Sequence, residues 1–433
     1  MTLDTVRADH VGCYGYFRDT TPQLDRLARE SLLFENCSVP VAMTLPSHMS
    51  LFTGLYPIEH GIEANVANME GSFIPAPGVE TLAAHLAAAG YATAGFVSAS
   101  PVKAGTGLEA GFETWWEPEA NQARARAPID QALAWLATDP PQPYFLWVHL
   151  FDAHGPYDPP PRFAELFGES EAQRAYLERL EFPERFPRVR EHDGVPNDLV
   201  RVEHDHYDGE IRYADTQFGR LLRKLERRSD WRRTAVVVTT DHGEGLGQHG
   251  QFGHQGLWKE QLDAVLVVRV PGRAGQRLDV PIENRDLLPT LQGLLPELPL
   301  GDLLEQCSGR DVLAAEHLPG ARFWIAPPDP LRERHDGPFR QPLRAVEADG
   351  WRLIRYNDGD ELLFHLDEDP TESTDLAERE PAKLAELGEL LERLEAGQRE
   401  RRERLGAGRI GPMSPERLRA LEALGYAGGR EQE

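Results

Sequence analysis

The amino-acid sequence predicts an α/β protein: a doubly wound, mostly parallel sheet flanked by helices, with a small antiparallel α+β domain at the C-terminal end. Segments with apolar residues at helical spacing alternate with short, nearly continuous apolar runs, the pattern of parallel strands covered on both faces. Unusual polar residues stand just beyond those runs, where ligands bind in such sheets: Asp4 after Leu3, Asp152 and His154 after Leu150, Asp241 and His242 after Thr240. From about Pro342 the texture changes to short strand-like pieces separated by Asp-Gly turns, which reads as an antiparallel meander.

In chain order, Thr21-Pro22 opens a helix, with Thr at the cap, Pro in the first turn and Leu24, Leu27, Ala28 and Leu32 on one face. Glu80 to Ala89 is a second helix, stopped by Gly90, and it feeds a strand over Ala92 to Ser98. The alternation repeats as a helix over Pro128 to Thr138 and a strand over Tyr144 to Leu150. It repeats again as a helix over Tyr207 to Arg228, with Ile211, Ala214, Phe218, Leu221, Leu222 and Leu225 at helical spacing, and a strand over Ala235 to Thr240. Residues 155–200 are rich in Pro, Glu and Arg with little periodicity, so an insertion near the site is expected there rather than core. Leu343 to Glu347, Trp351 to Tyr356 and Glu361 to Leu366 are the C-terminal strands, followed by a charged helix from Glu380 to about Arg404 and a polar tail. The expected division is residues 1–335 for the large domain and 336–433 for the small one.

A chain of 433 residues can bury a large core, and its 39 glycines and 34 prolines, without period or low complexity, describe a loop-rich globular protein. The formal net charge of −25 opposes nucleic acid and anionic lipid, so any anionic substrate has to be attracted locally. Three distant cysteines, Cys13, Cys37 and Cys307, suggest neither a disulfide framework nor a cysteine-bound zinc. No transmembrane segment is expected, because no run of about 18 apolar residues occurs. The N-terminus also lacks the charged and apolar regions of a signal peptide, so the sequence as written predicts a cytoplasmic protein.

Asp4, Asp241 and His242 supply the oxygen and nitrogen donors of a divalent-cation site, at the ends of two strands that can be neighbours. Asp-His-Gly by itself also suits a turn with a helix-capping Asp. The surrounding histidines shift the reading: His242, His249 and His254 are interleaved with Gly243, Gly245, Gly247, Gly250 and Gly253, which let the backbone approach an ion. Thr44-Leu45-Pro46-Ser47-His48 precedes a helix-compatible stretch from Ser47 to Thr53, stopped by Gly54. Thr44 then stands at a helix N-terminus, either as a cap or, beside a cation, as a nucleophile with an acidified hydroxyl. Because side chains alternate along a strand, His149 is packed or supports other groups, whereas His154, in the loop beyond, can reach a ligand.

Leu3-Asp4-Thr5-Val6-Arg7-Ala8-Asp9-His10, Cys13-Tyr14-Gly15, Thr21-Pro22, Leu24-Asp25, Pro46-Ser47-His48, Thr53-Gly54 and His60-Gly61 open an ordered set. It continues with His154-Gly155-Pro156-Tyr157, Thr240-Asp241-His242-Gly243-Glu244, His249-Gly250 and Leu366 to Glu372, and ends with Leu418 to Tyr426. That set, spanning nearly the whole chain, resembles the sulfatase family of the alkaline phosphatase superfamily. The resemblance implies an alkaline phosphatase-like fold whose small domain closes over the site. It also implies one divalent metal ion (zinc, manganese or calcium), with a second as an alternative. Carried over residue by residue, it makes Asp4, Thr44, Asp241 and His242 metal ligands, Thr44, His154 and His254 catalytic, and His48, His249 and Lys103 substrate-binding.

Three departures sharpen the expectation. The formylglycine motif C/S-x-P-x-R is replaced by Thr44, Pro46 and His48, so no formylglycine is expected; a threonine nucleophile is similar to the phosphodiesterase and phosphoethanolamine-transferase branches. Thr5 stands where a second aspartate is usual and His242 where asparagine is, which favours zinc or manganese over an all-oxygen site. There is no Gly-Lys-x-His segment; Lys103 lies in the right region without that context, and His254 stands roughly where sulfatases place a lysine. Only Met1-Thr2-Leu3 precede Asp4 where the family has a full strand, so either a start upstream of Met1 or a damaged protein is expected, and localisation stays open because an upstream segment can carry a signal peptide.

The expected function is metal-dependent hydrolysis of small-molecule, glycan or lipid sulfate, phosphate or phosphonate esters. Phosphoryl esters are favoured, because threonine has one hydroxyl and cannot expel sulfate as a hydrated aldehyde does. The alternatives are a phosphoethanolamine-type transferase, which hands the group from Thr44 to another alcohol, and a non-catalytic member of the fold.

Overall fold

Adjacent strand ends carry the candidate ligands, so the sheet order decides whether they meet. A computed structural model of the protein describes residues 1–66, 71–179, 197–250, 252–254, 256–309, 322–325, 342–406 and 408–424. The central sheet has eight strands: β1 (Thr2–Leu3), β2 (Leu32–Phe34), β3 (Ala92–Phe96), β4 (Thr114–Trp116), β5 (Tyr144–Leu150), β6 (Val236–Thr240), β7 (Leu266–Arg269) and β8 (Gln276–Leu278). Their order is β8-β2-β7-β6-β1-β5-β3-β4, and only β7 runs against the rest. β1 lies between β5 and β6, parallel to both, with Leu3 opposite Leu150 on one side and Thr240 on the other. Asp4 and Asp241, one residue further on, are therefore side by side.

Helices cover both faces. Helix α1 (Pro22–Ala28), α4 (Arg126–Ala137) and α5 (Asn197–Glu226) pack on one face, and α2 (Thr44–Thr53), α3 (Leu82–Ala88) and α6 (Leu287–Leu294) on the other. Alternate residues of β5 enter the two cores, Val148 and Leu150 the first and Trp147 the second, which explains its uninterrupted apolar pattern. α5 begins at Asn197, ten residues before the expected start at Tyr207, so part of the anticipated insertion is helix; residues 180–196 lie outside the described residues. Its face of Tyr207, Ile211, Ala214, Phe218, Leu221, Leu222 and Leu225 is buried as the periodicity required.

The small antiparallel sheet has four strands, β9 (Arg322–Ile325), β10 (Pro342–Ala348), β11 (Trp351–Tyr356) and β12 (Glu361–His365). β9 is an addition to the sequence reading, and it precedes the expected boundary at 335/336, which falls outside the described residues. Helix α7 (Pro381–Leu405) packs Leu387 and Leu391 against Val346, Leu353 and Leu363 of this sheet and against Tyr56 and Ile58 of the large domain. Residues Arg409–Pro412 pair back with Gly71–Ile74, and a short helix follows over Pro415–Ala423; Gly425 and Tyr426 of the family-like tail are outside the described residues. No helix among the described residues is long and apolar enough to cross a membrane.

Candidate active site

The site is built at the carboxyl ends of β1 and β6. The Asp4 amide donates to Leu150 O at 2.8 Å and so continues the strand, after which Thr5 turns the chain with φ 55°. That turn aims the Thr5 amide at Asp241 Oδ1, 3.1 Å away, and the His242 amide reaches the same oxygen at 2.9 Å. Asp241 Oδ1 is thus held by two backbone donors. Asp4 Oδ2 is held by His149 Nε2 at 3.0 Å. The Ser98 amide points at His149 Nδ1, 3.3 Å away, so the ring is the Nε2–H tautomer that donates to Asp4.

Three buried atoms remain: Asp4 Oδ1, Asp241 Oδ2 and His242 Nε2 have no hydrogen-bond partner. Donor atoms of the three residues lie within 4.8 Å of one another. His242 Nδ1 faces Gly243 O at 2.9 Å, so in the neutral ring Nε2 presents a lone pair, 3.4 Å from Asp241 Oδ2. Burial pushes both carboxyls well above the usual range; Asp4 adds to the effect on Asp241 and Glu244 to that on Asp4, while the Thr44 hydroxyl against Asp4 and the Thr5 amide on Asp241 oppose it. Burial also holds His242 well below its usual value, with His254 adding to it. Two buried carboxyls and one imidazole, each with an unsatisfied acceptor, fit a divalent cation, whose charge would relieve the burial of all three.

Thr44 comes to this cluster on the first turn of α2. It is the first helical residue, with Met43 at the cap, so the capping alternative does not apply. The helix is anchored by Ser47 Oγ, which donates to Asp241 O at 2.5 Å and accepts from Asn284 Nδ2 at 3.0 Å. The amides of this first turn are engaged within the protein: Leu45 N donates to Asn65 Oδ1, Pro46 has none, and Ser47 N donates to Met43 O.

His154 and His254 join the cluster from two loops, with ring centroids 5.1 Å apart and His254 4.5 Å from His242. His154 stacks on Phe151 and its Nδ1 faces Gly155 O at 2.7 Å; burial, helped by His254, brings its pKa down to about 3. His254 Nδ1 faces Glu244 Oε1 at 3.3 Å. Glycine at 253 (φ 86°) makes the turn that places it.

The three residues expected to bind substrate are placed differently. His48 is fully buried under α2, its Nδ1 on Thr44 O at 2.8 Å and its Nε2 on the Thr2 hydroxyl at 2.9 Å, so it fastens the helix to β1. Lys103 Nζ donates to the carbonyls of Pro118 and Ala120. His249 lies flat on Trp258, ring centroids 3.8 Å apart, with Glu260 Oε1 at 2.9 Å on Nδ1 and Thr371 O at 3.1 Å on Nε2. Burial pulls the His249 pKa down, but the Glu260 carboxylate raises it above the ordinary value. His249, Glu260 and Glu372 also gather donor atoms within 4.8 Å, yet Arg352 Nη1 sits 3.0 Å from Glu372 Oε1. The group clasps the C-terminal Asp369-Pro370-Thr371-Glu372 turn to the large domain. In each case the residue type suits an anion, but another group of the protein has taken the polar atom. Sequence reasoning left the role of His149 open and gave none to Ser47, Asn284 or Glu244; only the strand-end position of His149 hinted at one.

A family profile described as Sulfatase matches residues 1–297. An arylsulfatase from Clostridium perfringens is 23% identical over 88% of this chain and 90% of that protein. A multifunctional alkaline phosphatase superfamily protein from Trinickia caryophylli is 24% identical over 82% and 85%. Among solved structures, a phosphonate monoester hydrolase of Agrobacterium radiobacter superposes with a TM-score of 0.69 at 19% identity, covering 92% of this chain and 95% of that one. A putative sulfatase from Bacteroides fragilis gives 0.73 at 19% identity, covering 92% and 94%. With the family profile matched over most of its length and the sheet order and strand-end donors described above, the chain belongs to the sulfatase family of the alkaline phosphatase superfamily, a family of ester hydrolases.

Proposed function

We propose that the protein cleaves phosphoric or phosphonic esters of small molecules, glycans or lipids by attack of Thr44 on phosphorus. In this reading Asp4, Asp241 and His242, with the Thr44 hydroxyl, hold one divalent cation. The observation that carries it is the placement of the Thr44 hydroxyl against Asp4, beside three buried donors that lack partners. A cation held there supplies positive charge to the nonbridging oxygens and to Thr44 Oγ1.

The side chains supply the remaining chemistry. Thr44 Oγ1 attacks in line as its proton passes toward Asp4, and His149 keeps Asp4 oriented from behind. The P–O bond to the alcohol breaks, and His254 protonates the departing oxygen. Water then attacks the Thr44 ester and restores the hydroxyl. One hydroxyl suffices for phosphoryl transfer, whereas a threonine sulfate has no second hydroxyl to expel the sulfate by C–O cleavage.

The test compares nitrophenyl phosphate, phosphonate and sulfate esters of equal leaving-group pKa, with zinc, manganese or calcium supplied. The phosphorus esters are expected to turn over faster and Thr44→Ala to abolish all of it, with the Thr44 adduct seen by intact mass. A sulfate ester with the higher kcat/KM would overturn the reading, and product partitioning to an added alcohol would redirect it to transfer.

A further inference from the structure

We propose that Glu244 is the positioning residue for His254, holding that imidazole by Nδ1 so that Nε2 serves the leaving oxygen; the inference rests on the reaction proposed for Thr44. Three imidazoles meet at the site, and their Nδ1 partners differ. Those of His154 and His242 are the backbone carbonyls of the next residue, Gly155 and Gly243. A neutral ring with Nδ1–H on a carbonyl presents only a lone pair at Nε2, so these two rings accept rather than donate. His254 instead has a carboxyl oxygen on Nδ1, Glu244 Oε1 at 3.3 Å, with side chains 6% and 2% exposed. A carboxyl oxygen on Nδ1 fixes the tautomer and the orientation of the ring, so that Nε2 is the atom turned to the site.

Glu244 is itself held in place, since its backbone carbonyl accepts from Arg7 Nη1 at 3.1 Å. It is not among the metal-type donors that converge with Asp4. The proton count closes over a turnover. As the P–O bond breaks, the Nε2 proton goes to the departing alkoxide and leaves a neutral ring still donating from Nδ1 to Glu244. When water attacks phosphorus and displaces Thr44 Oγ1, Nε2 takes the proton of that water, and Thr44 recovers its own.

The experiment is a series of phosphate esters with one phosphoryl group and alcohols ranging from nitrophenol to a simple alkyl alcohol. Glu244→Gln is expected to lose about 100-fold in kcat on the alkyl ester and less than about 3-fold on the nitrophenyl ester, because only the poor leaving group needs its proton. His254→Ala should steepen the series alike, and the double variant should lose no more than His254→Ala alone. A uniform loss across the series, or none, would overturn the proposal. A second readout needs no turnover: long-range ¹H–¹⁵N spectra, with His254 assigned through its loss in His254→Ala. The Nδ1-protonated ring is expected in the wild type and a changed tautomer in Glu244→Ala; an unchanged tautomer overturns the proposal. Activity surviving in Thr44→Ala would sink the reaction assignment instead, while these spectra still decide the placement of His254.

Discussion

Asp241→Asn separates two effects that oppose each other. The amide oxygen can keep both backbone bonds that Asp241 Oδ1 makes, to Thr5 N at 3.1 Å and His242 N at 2.9 Å. The change falls on Oδ2, the oxygen without a partner, which becomes an NH2. In chelator the substitution removes a buried carboxyl that burial, and then the neighbouring Asp4, push well above the usual range. The metal-free variant is therefore expected to be more stable than metal-free wild type, on the order of 1–3 kcal/mol. With a cation at about 1,000 times its Kd, wild type gains about 4 kcal/mol, and the variant, lacking one charged ligand, loses most of that gain. A chain of this size shifts its Tm by at most about 2 °C per kcal/mol, so calorimetry should show wild type rising by up to about 8 °C on metal addition. The two curves should cross, with the variant above wild type in chelator and below it in metal, and elemental analysis should show reduced occupancy. A variant with an undiminished metal-induced shift, or one that melts several degrees lower in chelator, would refute the assignment of Asp241 as a charged ligand.

Thr44→Ala should leave no detectable ester cleavage, whereas Thr44→Ser, which keeps an Oγ on the same helical turn, should retain part of it; steady-state kinetics with the intact-mass adduct decides. His149→Gln removes the ring that orients Asp4 Oδ2 and should weaken metal affinity about 10–100-fold with little change of fold, read by titration calorimetry and circular dichroism. The clasp between His249 and Glu260 gives a pH signature. The folded His249 pKa is raised, so its contribution is whole below the ordinary value of 6.5 and fades as pH rises through the folded one. Glu260 is lowered, mainly by His249 against the burial that raises it, so its contribution is present above 4.5 and fades as pH falls through the folded value. Stability from the pair is therefore greatest between those limits, and His249→Gln should lower Tm there while flattening its decline above pH 6.5; a Tm profile identical to wild type would remove the clasp.

What could be read from the sequence follows from what is local. β5 and β6 announce themselves because burial on both faces demands an unbroken apolar run, and Asp4, Asp241 and His242 announce themselves because no packing need explains them at strand ends. The meander was visible through the Asp-Gly turns between its short strands, but β9 was not: four residues of Arg-Phe-Trp-Ile make too short a run to read without the partner strand that buries them. The supporting residues were invisible because their partners are set by sheet order, not by neighbours in the chain. His149 reaches Asp4 across 145 positions, and Ser47 reaches Asp241 across 194. The partners of His48, His249 and Lys103 could not be read either, since a side chain able to bind an anion says nothing about which carbonyl or carboxylate is nearer.

Thr5 shows how the two kinds of information interlock. Read by residue type it is a lost ligand, a hydroxyl where a second carboxylate is usual. In the folded chain its hydroxyl turns away, donating to Ala153 O at 2.6 Å, and its carbonyl accepts from Tyr207 OH at 2.6 Å. A β-branched residue at φ 55° costs on the order of 1–3 kcal/mol, so these two bonds must hold it there against that strain. What the strained turn supplies is the direction of one amide, which holds Asp241 Oδ1 and leaves Oδ2 to face Asp4 and His242. The residue contributes to the site through its backbone, and its side chain serves only to keep that backbone where the sheet would not otherwise put it.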